Sequence, residues 1–162
     1  RLVDEGEISL TGVAVEVWHC DAIGRYSGFP PLDPTIVAAG GSAPRAEYVP
    51  GETFLRGRQV SDGAGMVEFD TIYPGWYPGR TVHVHLIVRT SAAILTSQLY
   101  FPDPVSDEVL ATAPYDGRPG RDTTNDTDAI FPTGGTPALL SVEAHPGRYR
   151  AGVCLAVSAH GE

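Results

Sequence analysis

His83 and His85 stand two residues apart in the run Arg80-Thr81-Val82-His83-Val84-His85-Leu86. On a β-strand, side chains at i and i+2 leave from the same face. Both imidazoles then point one way, while Val82, Val84 and Leu86 point the other. Two polar rings on one face leave donors or acceptors to satisfy. A shared metal ion satisfies both, and imidazole is the commonest metal ligand among side chains. Packing with ordinary hydrogen bonds would satisfy them as well, so the pair alone leaves both readings open. Just upstream lie a phenol, Tyr77, and a permanent positive charge, Arg80.

The donor types near the pair bear on which metal it would take. Zinc sites favour Cys, His and carboxylate, and no Cys or carboxylate adjoins this run. The oxygen-activating Fe(II) site needs two histidines and a carboxylate. The cupin pattern needs a Glu soon after His-x-His, and here Leu86-Ile87-Val88-Arg89 follow. What lies nearby is tyrosine. A free phenol has a pKa of about 10, and a metal that binds it must displace the proton. Fe(III) is hard and charged enough to do so. Two phenolates and a hydroxide would balance its charge, which is the electrostatic argument for two Tyr beside two His.

These residues need a scaffold. A chain of 162 residues suits one domain with a real core. Its 19 Gly and 14 Pro favour a turn-rich, mostly β protein. The net charge of -9 argues against nucleic acid and anionic membrane surfaces as partners. No apolar run approaches membrane-spanning length. There is no signal peptide, and Arg1-Leu2-Val3 does not resemble a natural start, so a trimmed or mature domain is expected.

Along the chain, Leu10 to Trp18 alternates Val13, Val15 and Val17 with Ala14, Glu16 and Trp18, a half-buried strand. A loop from His19 to Phe29 brings Tyr26 to the end of the sheet. Pro30 to Pro50 is irregular, and a stretch this long without period is usually functional or mobile. Phe54–Val60 and Met66–Ile72 read as a hairpin around Ser61–Gly65. A strand from Val82 to Arg89 follows, then another within Ser91–Phe101. Asp107–Ala111 is the expected short helix, and Ala113–Phe131 a polar loop. Ala138–Ala144 and Tyr149–Ser158 are expected to pair around His145-Pro146-Gly147-Arg148. The pattern predicts an all-β chain of seven to nine short strands in an antiparallel sandwich, as a single domain over residues 1–162. His19, His145 and His160 are read as non-ligands. Cys20 and Cys154 are either two buried thiols or, if the first and last strands adjoin, a disulfide.

Three segments carry a family resemblance. Trp76-Tyr77-Pro78-Gly79-Arg80-Thr81-Val82-His83-Val84-His85 strongly resembles the signature of the intradiol ring-cleavage dioxygenases, the catechol and protocatechuate 3,4-dioxygenase group. Val17-Trp18-His19-Cys20-Asp21-Ala22 through Tyr26-Ser27-Gly28-Phe29 resembles the segment bearing that family's first tyrosine ligand. Thr96-Ser97-Gln98-Leu99-Tyr100-Phe101 resembles a third. Weaker similarity continues through Arg121-Asp122-Thr123-Thr124-Asn125.

The resemblance implies a β-sandwich and a non-haem Fe(III) held by Tyr26, Tyr77, His83 and His85. Tyr77 would be the phenolate that leaves when substrate binds. Arg80 would steady an anionic substrate, and Gln98 would line the same pocket. The implied reaction inserts both atoms of O2 into an aromatic 1,2-diol between its hydroxyl-bearing carbons, giving a cis,cis-muconate. The implied partners are a catecholic small molecule and O2. The chain has no room for the N-terminal helical domain of the catechol enzymes, and the protocatechuate enzymes use two different chains. It resembles a compact single-domain subgroup found in actinobacteria and often secreted, so an extracellular location is expected. The preferred catechol and the oligomeric state stay open. Two rivals remain: a metal-free binding module, and a cupin-like or Fe(II) enzyme. Metal content and colour separate them from the ferric reading.

Overall fold

A computed structural model describes residues 1–29 and 50–157. Most of the irregular Pro30–Pro50 stretch, and His160, lie outside the described residues. Within them the chain forms eight strands and one α-helix, a mostly β architecture. The strands are β1 (Leu2–Val3), β2 (Ala14–Trp18), β3 (Arg56–Val60), β4 (His83–Arg89), β5 (Ile94–Tyr100), β6 (Ser141–His145), β7 (Arg148–Gly152) and β8 (Leu155–Ala156). The helix α1 spans Asp103–Leu110.

The sheet that matters for function is antiparallel, with order β3–β2–β4–β5. Its centre is β4, which carries the alternation expected of a half-buried strand. Val84, Leu86 and Val88 are buried on the apolar face. Leu86 and Val88 join Val13, Val15, Leu2 and Val157 in one cluster, while Val82 and Val84 join Trp76, Phe101 and Leu140 in another. Fully burying one such aliphatic side chain is worth about 1.5–3 kcal/mol. A one-residue slip of β4 would forfeit that and bury the charged Arg89 on the apolar face. The register therefore holds His83 and His85 on the opposite face.

The expected hairpin forms only in part. β3 pairs with β2, and residues 66–72 form no ladder. The turn survives, with Asp62 Oδ1 accepting from the N–H groups of Ala64 and Met66. The returning segment meets β3 through the side chain of Gln59, whose amide donates to the Glu68 carbonyl. Val67 and Phe69 pack on the core nonetheless, and Phe69 lies against Gly57. The alternation reported which side chains face inward but not whether a backbone ladder accompanies them.

The helix begins four residues before the expected Asp107. Pro102 caps its N-terminus, a proline occupies its first turn, and Asp103 adds a favourable charge there. Among the described residues, no helix is long and apolar enough to cross a membrane.

The final strands divide. β6 and β7 pair around Pro146-Gly147, close to the expected position. β8 then leaves them and runs parallel to β1. The Arg1 nitrogen donates to the Val153 carbonyl at 2.8 Å, extending that pairing. The chain end thus pairs with β1 rather than β2, and the two cysteines stay apart and free, Cys20 buried and Cys154 exposed. The Cys20 thiol donates to the Gly75 carbonyl at 3.4 Å.

Candidate metal centre

Four side chains from two loops and one strand converge. The Tyr26 hydroxyl lies 3.3 Å from Nε2 of His83, and the Tyr77 hydroxyl lies 3.2 Å from the same nitrogen. Nε2 of His85 lies 3.3 Å from it as well.

Each donor is held from behind. His83 and His85 sit on β4. Nδ1 of His83 is 2.7 Å from the Thr81 carbonyl, two residues earlier on the same chain. The His85 ring stacks on Trp18 of β2, centroids 4.8 Å apart and planes 3° from parallel, because register places the two side by side. Tyr77 starts a turn to Arg80, whose N–H donates to the Tyr77 carbonyl at 3.3 Å. Pro78 and Gly79, with φ of 79° at Gly79, give that turn a type II pattern.

Tyr26 arrives on the Asp21–Phe29 loop. Asp21 organises this loop, its Oδ1 accepting from the N–H groups of Ile23 and Arg25. Arg56 of β3 anchors the far side, donating from Nε to Ser27 Oγ at 2.8 Å and from its terminal NH2 to the Ser27 carbonyl at 3.1 Å. The loops bearing the two tyrosines dock through glycines. A Cβ on Gly24 would overlap the Trp76 carbonyl, and one on Gly75 would come within 2.5 Å of the Asp21 carbonyl.

The electrostatics suit a cation. Burial lowers the pKa of His83 to about 4 and of His85 to about 3, so both rings are neutral at neutral pH and offer lone pairs. Burial raises the pKa of both phenols, and at Tyr77 the nearby Arg80 charge offsets only part of the rise. Without a strong Lewis acid both tyrosines stay protonated. The spacing also fits a common ion. Tyr26 Oη, Tyr77 Oη and His85 Nε2 each lie 3.2–3.3 Å from His83 Nε2, close enough for one ion to reach all four. Among the described residues no group of three or more His, Cys, Asp and Glu gathers as an alternative metal site.

A cleft of about 220 Å³ opens beside the centre, lined in part by His85, Gln98, Tyr100, Ile130 and Thr133. Arg80 donates to Gln98 Oε1 at 2.6 Å and from Nε to Asp128 Oδ2 at 2.8 Å. Tyr100 donates to the same Gln98 oxygen at 2.8 Å. Gln98 therefore presents its NH2 end towards His85 Nδ1, 3.5 Å away.

No protein-family model matches the chain. It is 32% identical over 134 residues to the protocatechuate 3,4-dioxygenase beta chain of Burkholderia cepacia, an alignment covering 74% of this chain and 48% of that one. It is 28% identical over 131 residues to the chlorocatechol 1,2-dioxygenase of Rhodococcus opacus, covering 68% of this chain and 45% of the other. The fold matches an intradiol ring-cleavage dioxygenase from Tetranychus urticae with a TM-score of 0.80 and 27% identity, over 97% of this chain and 77% of that one. The relatives of this chain are intradiol ring-cleavage dioxygenases. The chain spans about half the length of the curated relatives it matches.

Against this intradiol background, each residue singled out in the sequence has a definite place. Tyr26, Tyr77, His83 and His85 are brought together, and Arg80 and Gln98 join beside them. His19 stays apart, buried and bonded to the Cys20 carbonyl and the Thr71 hydroxyl. His145 is exposed and near Glu143. Three contributors to this intradiol-like site went unread. Trp18 and Arg56 act through the register of β2 and β3, which single-sequence periodicity does not specify. Asp128 lies in the polar loop, and its only sequence signal is an acidic residue before the apolar Ala129-Ile130-Phe131. Its partner Arg80 is 48 residues away.

Proposed function

We propose that this chain is a ferric intradiol dioxygenase that opens an aromatic 1,2-diol between its hydroxyl-bearing carbons. The reaction would consume O2 and leave both its atoms in a cis,cis-muconate. The carrying observation is the meeting of two phenols and two neutral imidazoles around one nitrogen, His83 Nε2. The kinship with intradiol dioxygenases supports the same reading.

Tyr26, Tyr77, His83 and His85 would hold the iron. Bound Fe(III) would ionise the phenols and, as a Lewis acid, draw electron density from a chelated diol, making its ring reactive towards O2. Tyr77 would do the proton work. It sits on a turn rather than in the ladder, and its Oη can take a diol proton, so no separate general base is required. Arg80 would steady negative charge on the diol oxygens, since its own charge is permanent and it is half-buried beside the cleft. Gln98, fixed at its oxygen by Arg80 and Tyr100, would line the pocket with its NH2 group. The β3–β2–β4–β5 sheet would be one layer of a β-sandwich, its apolar face covered by β1 and β8 at one end and by the Leu140 cluster at the other.

The deciding experiment is oxygen uptake by the iron-loaded protein with a panel of catechols, with mass identification of the product. Cleavage between the hydroxyls is expected. Cleavage beside them, or a colourless iron-free protein from aerobic preparation with added Fe(III), would overturn the proposal.

A further inference from the structure

Among the described residues, Asp128 is the one acidic side chain completely buried beside the proposed centre, with 0% of its side chain exposed. Its two oxygens have separate partners. Oδ2 accepts from Arg80 Nε at 2.8 Å and from the Thr81 N–H at 2.9 Å. Oδ1 accepts from the N–H groups of Ile130 at 2.8 Å and Phe131 at 2.9 Å. The first oxygen grips the residues leading into β4, and the second shapes the segment that forms a cleft wall at Ile130. Phe131 continues that wall by an edge-to-face contact with Tyr100, centroids 4.9 Å apart.

We propose that Asp128 is a positioning residue for substrate binding: its Oδ2 aims the Arg80 guanidinium at the diol while its Oδ1 holds the cleft wall. The proposal rests on the dioxygenase reading above. A guanidinium has five N–H donors in a rigid fork. Asp128 takes Nε–H and Gln98 takes one terminal N–H, so the plane of the fork is fixed by two bonds at different corners. The other donors of the fork lie by the Tyr77 and Tyr100 hydroxyls, on the side of the cleft that Tyr100 lines and the diol would enter. A guanidinium free to turn would spend part of its time elsewhere, and misplacement by about 1 Å is enough to cost about 10²-fold. The same carboxylate supplies the negative charge that a half-buried guanidinium near a ferric ion needs. The contacts join Asp128, Arg80 and Gln98 across three separate stretches of chain.

Asp128→Asn is the discriminating variant. It keeps a carbonyl oxygen for Ile130 and Phe131 but turns an NH2 group on Arg80 Nε–H and the Thr81 N–H. Iron content, melting temperature, kcat and KM with catechol are measured on the full chain, alone and in an Arg80→Ala background. Asp128→Asn is expected to keep its iron and to lower kcat/KM by roughly 10–100-fold. In the Arg80→Ala background it is expected to add less than about twofold, since the residue it acts through is gone. Additive losses in the double variant, or wild-type kcat/KM in the single one, would overturn the proposal. If Asp128→Asn does not fold, Asp128→Glu decides: the displaced charge must lower kcat/KM with iron retained, and an unchanged value counts against positioning. Two readouts do not depend on turnover. Catechol affinity with oxygen excluded should weaken in Asp128→Asn, and Arg80 Nε–H should exchange faster with solvent while the Ile130 amide does not. A wild-type chain inert to every catechol would sink the dioxygenase reading, whereas unchanged Arg80 Nε–H exchange would sink the positioning role by itself.

Discussion

The Thr81 carbonyl lies 2.7 Å from Nδ1 of His83. A carbonyl can only accept, so the ring carries its hydrogen on Nδ1 and turns a bare Nε2 towards Tyr26 and Tyr77. The backbone just before β4 thus sets the tautomer before any ligand binds. His83→Ala and His85→Ala are each expected to purify with iron content reduced at least about tenfold. Metal analysis checks this, and full iron occupancy in His83→Ala would remove it from the ligand set.

Tyr77→Phe should bind iron more weakly and change its colour. Each tyrosinate contributes charge-transfer absorption to a ferric site, and this variant removes one. Turnover should fall as well, because the proposed proton acceptor at Oη is gone. An unaltered visible spectrum in an iron-loaded Tyr77→Phe protein would contradict the assignment.

Gly24→Ala tests the docking of the two tyrosine loops. Gly24 has φ of 85°, where an L side chain costs about 1–2 kcal/mol. The added methyl also overlaps the Trp76 carbonyl, and such crowding costs about 1–3 kcal/mol more. For a chain of this size each kcal/mol is about 2–4 °C in Tm, so a fall of at least about 4 °C is expected. Calorimetry measures it. An unchanged Tm would mean that the loops are not clamped at this point.

Acid should weaken the iron-free protein in a defined window. Burial holds His83 at about 4 and His85 at about 3, against 6.5 for the free side chain. Between pH 6.5 and about 4 the unfolded chain therefore binds more protons than the folded one, and stability falls as pH falls. Asp128 behaves in the usual carboxylate sense. Burial opposes its charge, but Arg80 and three backbone N–H groups outweigh that and hold it near 2. Its contribution is present above 3.8 and is lost as pH drops through about 2. Melting curves from pH 7 to 4 should show a steady decline, and a flat profile would mean that the imidazoles are not buried neutral.

Much of the site was legible because its core is local. Tyr77, Arg80, His83 and His85 fall within nine residues, and a turn followed by a strand is enough to relate them. The helix start at Pro102-Asp103-Pro104 carried a readable signal too, a proline at the first turn. The segment at 66–72 is different. Its alternation faces Val67 and Phe69 inward correctly, yet the backbone partner of β3 is β2. Side-chain burial and ladder pairing are separate choices, and only the first leaves a two-residue period.

By itself, the sequence determined that two imidazoles share one face of a strand, because pleating allows no other arrangement once Val82, Val84 and Leu86 are buried. For Tyr26 the family resemblance implied the meeting with His83 and tertiary structure decided how it is reached across 57 residues; tertiary structure alone decided that Asp128 reaches Arg80 across 48, and that Cys20 and Cys154 never meet. Those outcomes depend on loop docking at Gly24 and Gly75 and on β8 pairing with β1 instead of β2. Such contacts are set by shape and hydrogen-bond satisfaction between distant backbones, and these leave no periodic trace in the chain.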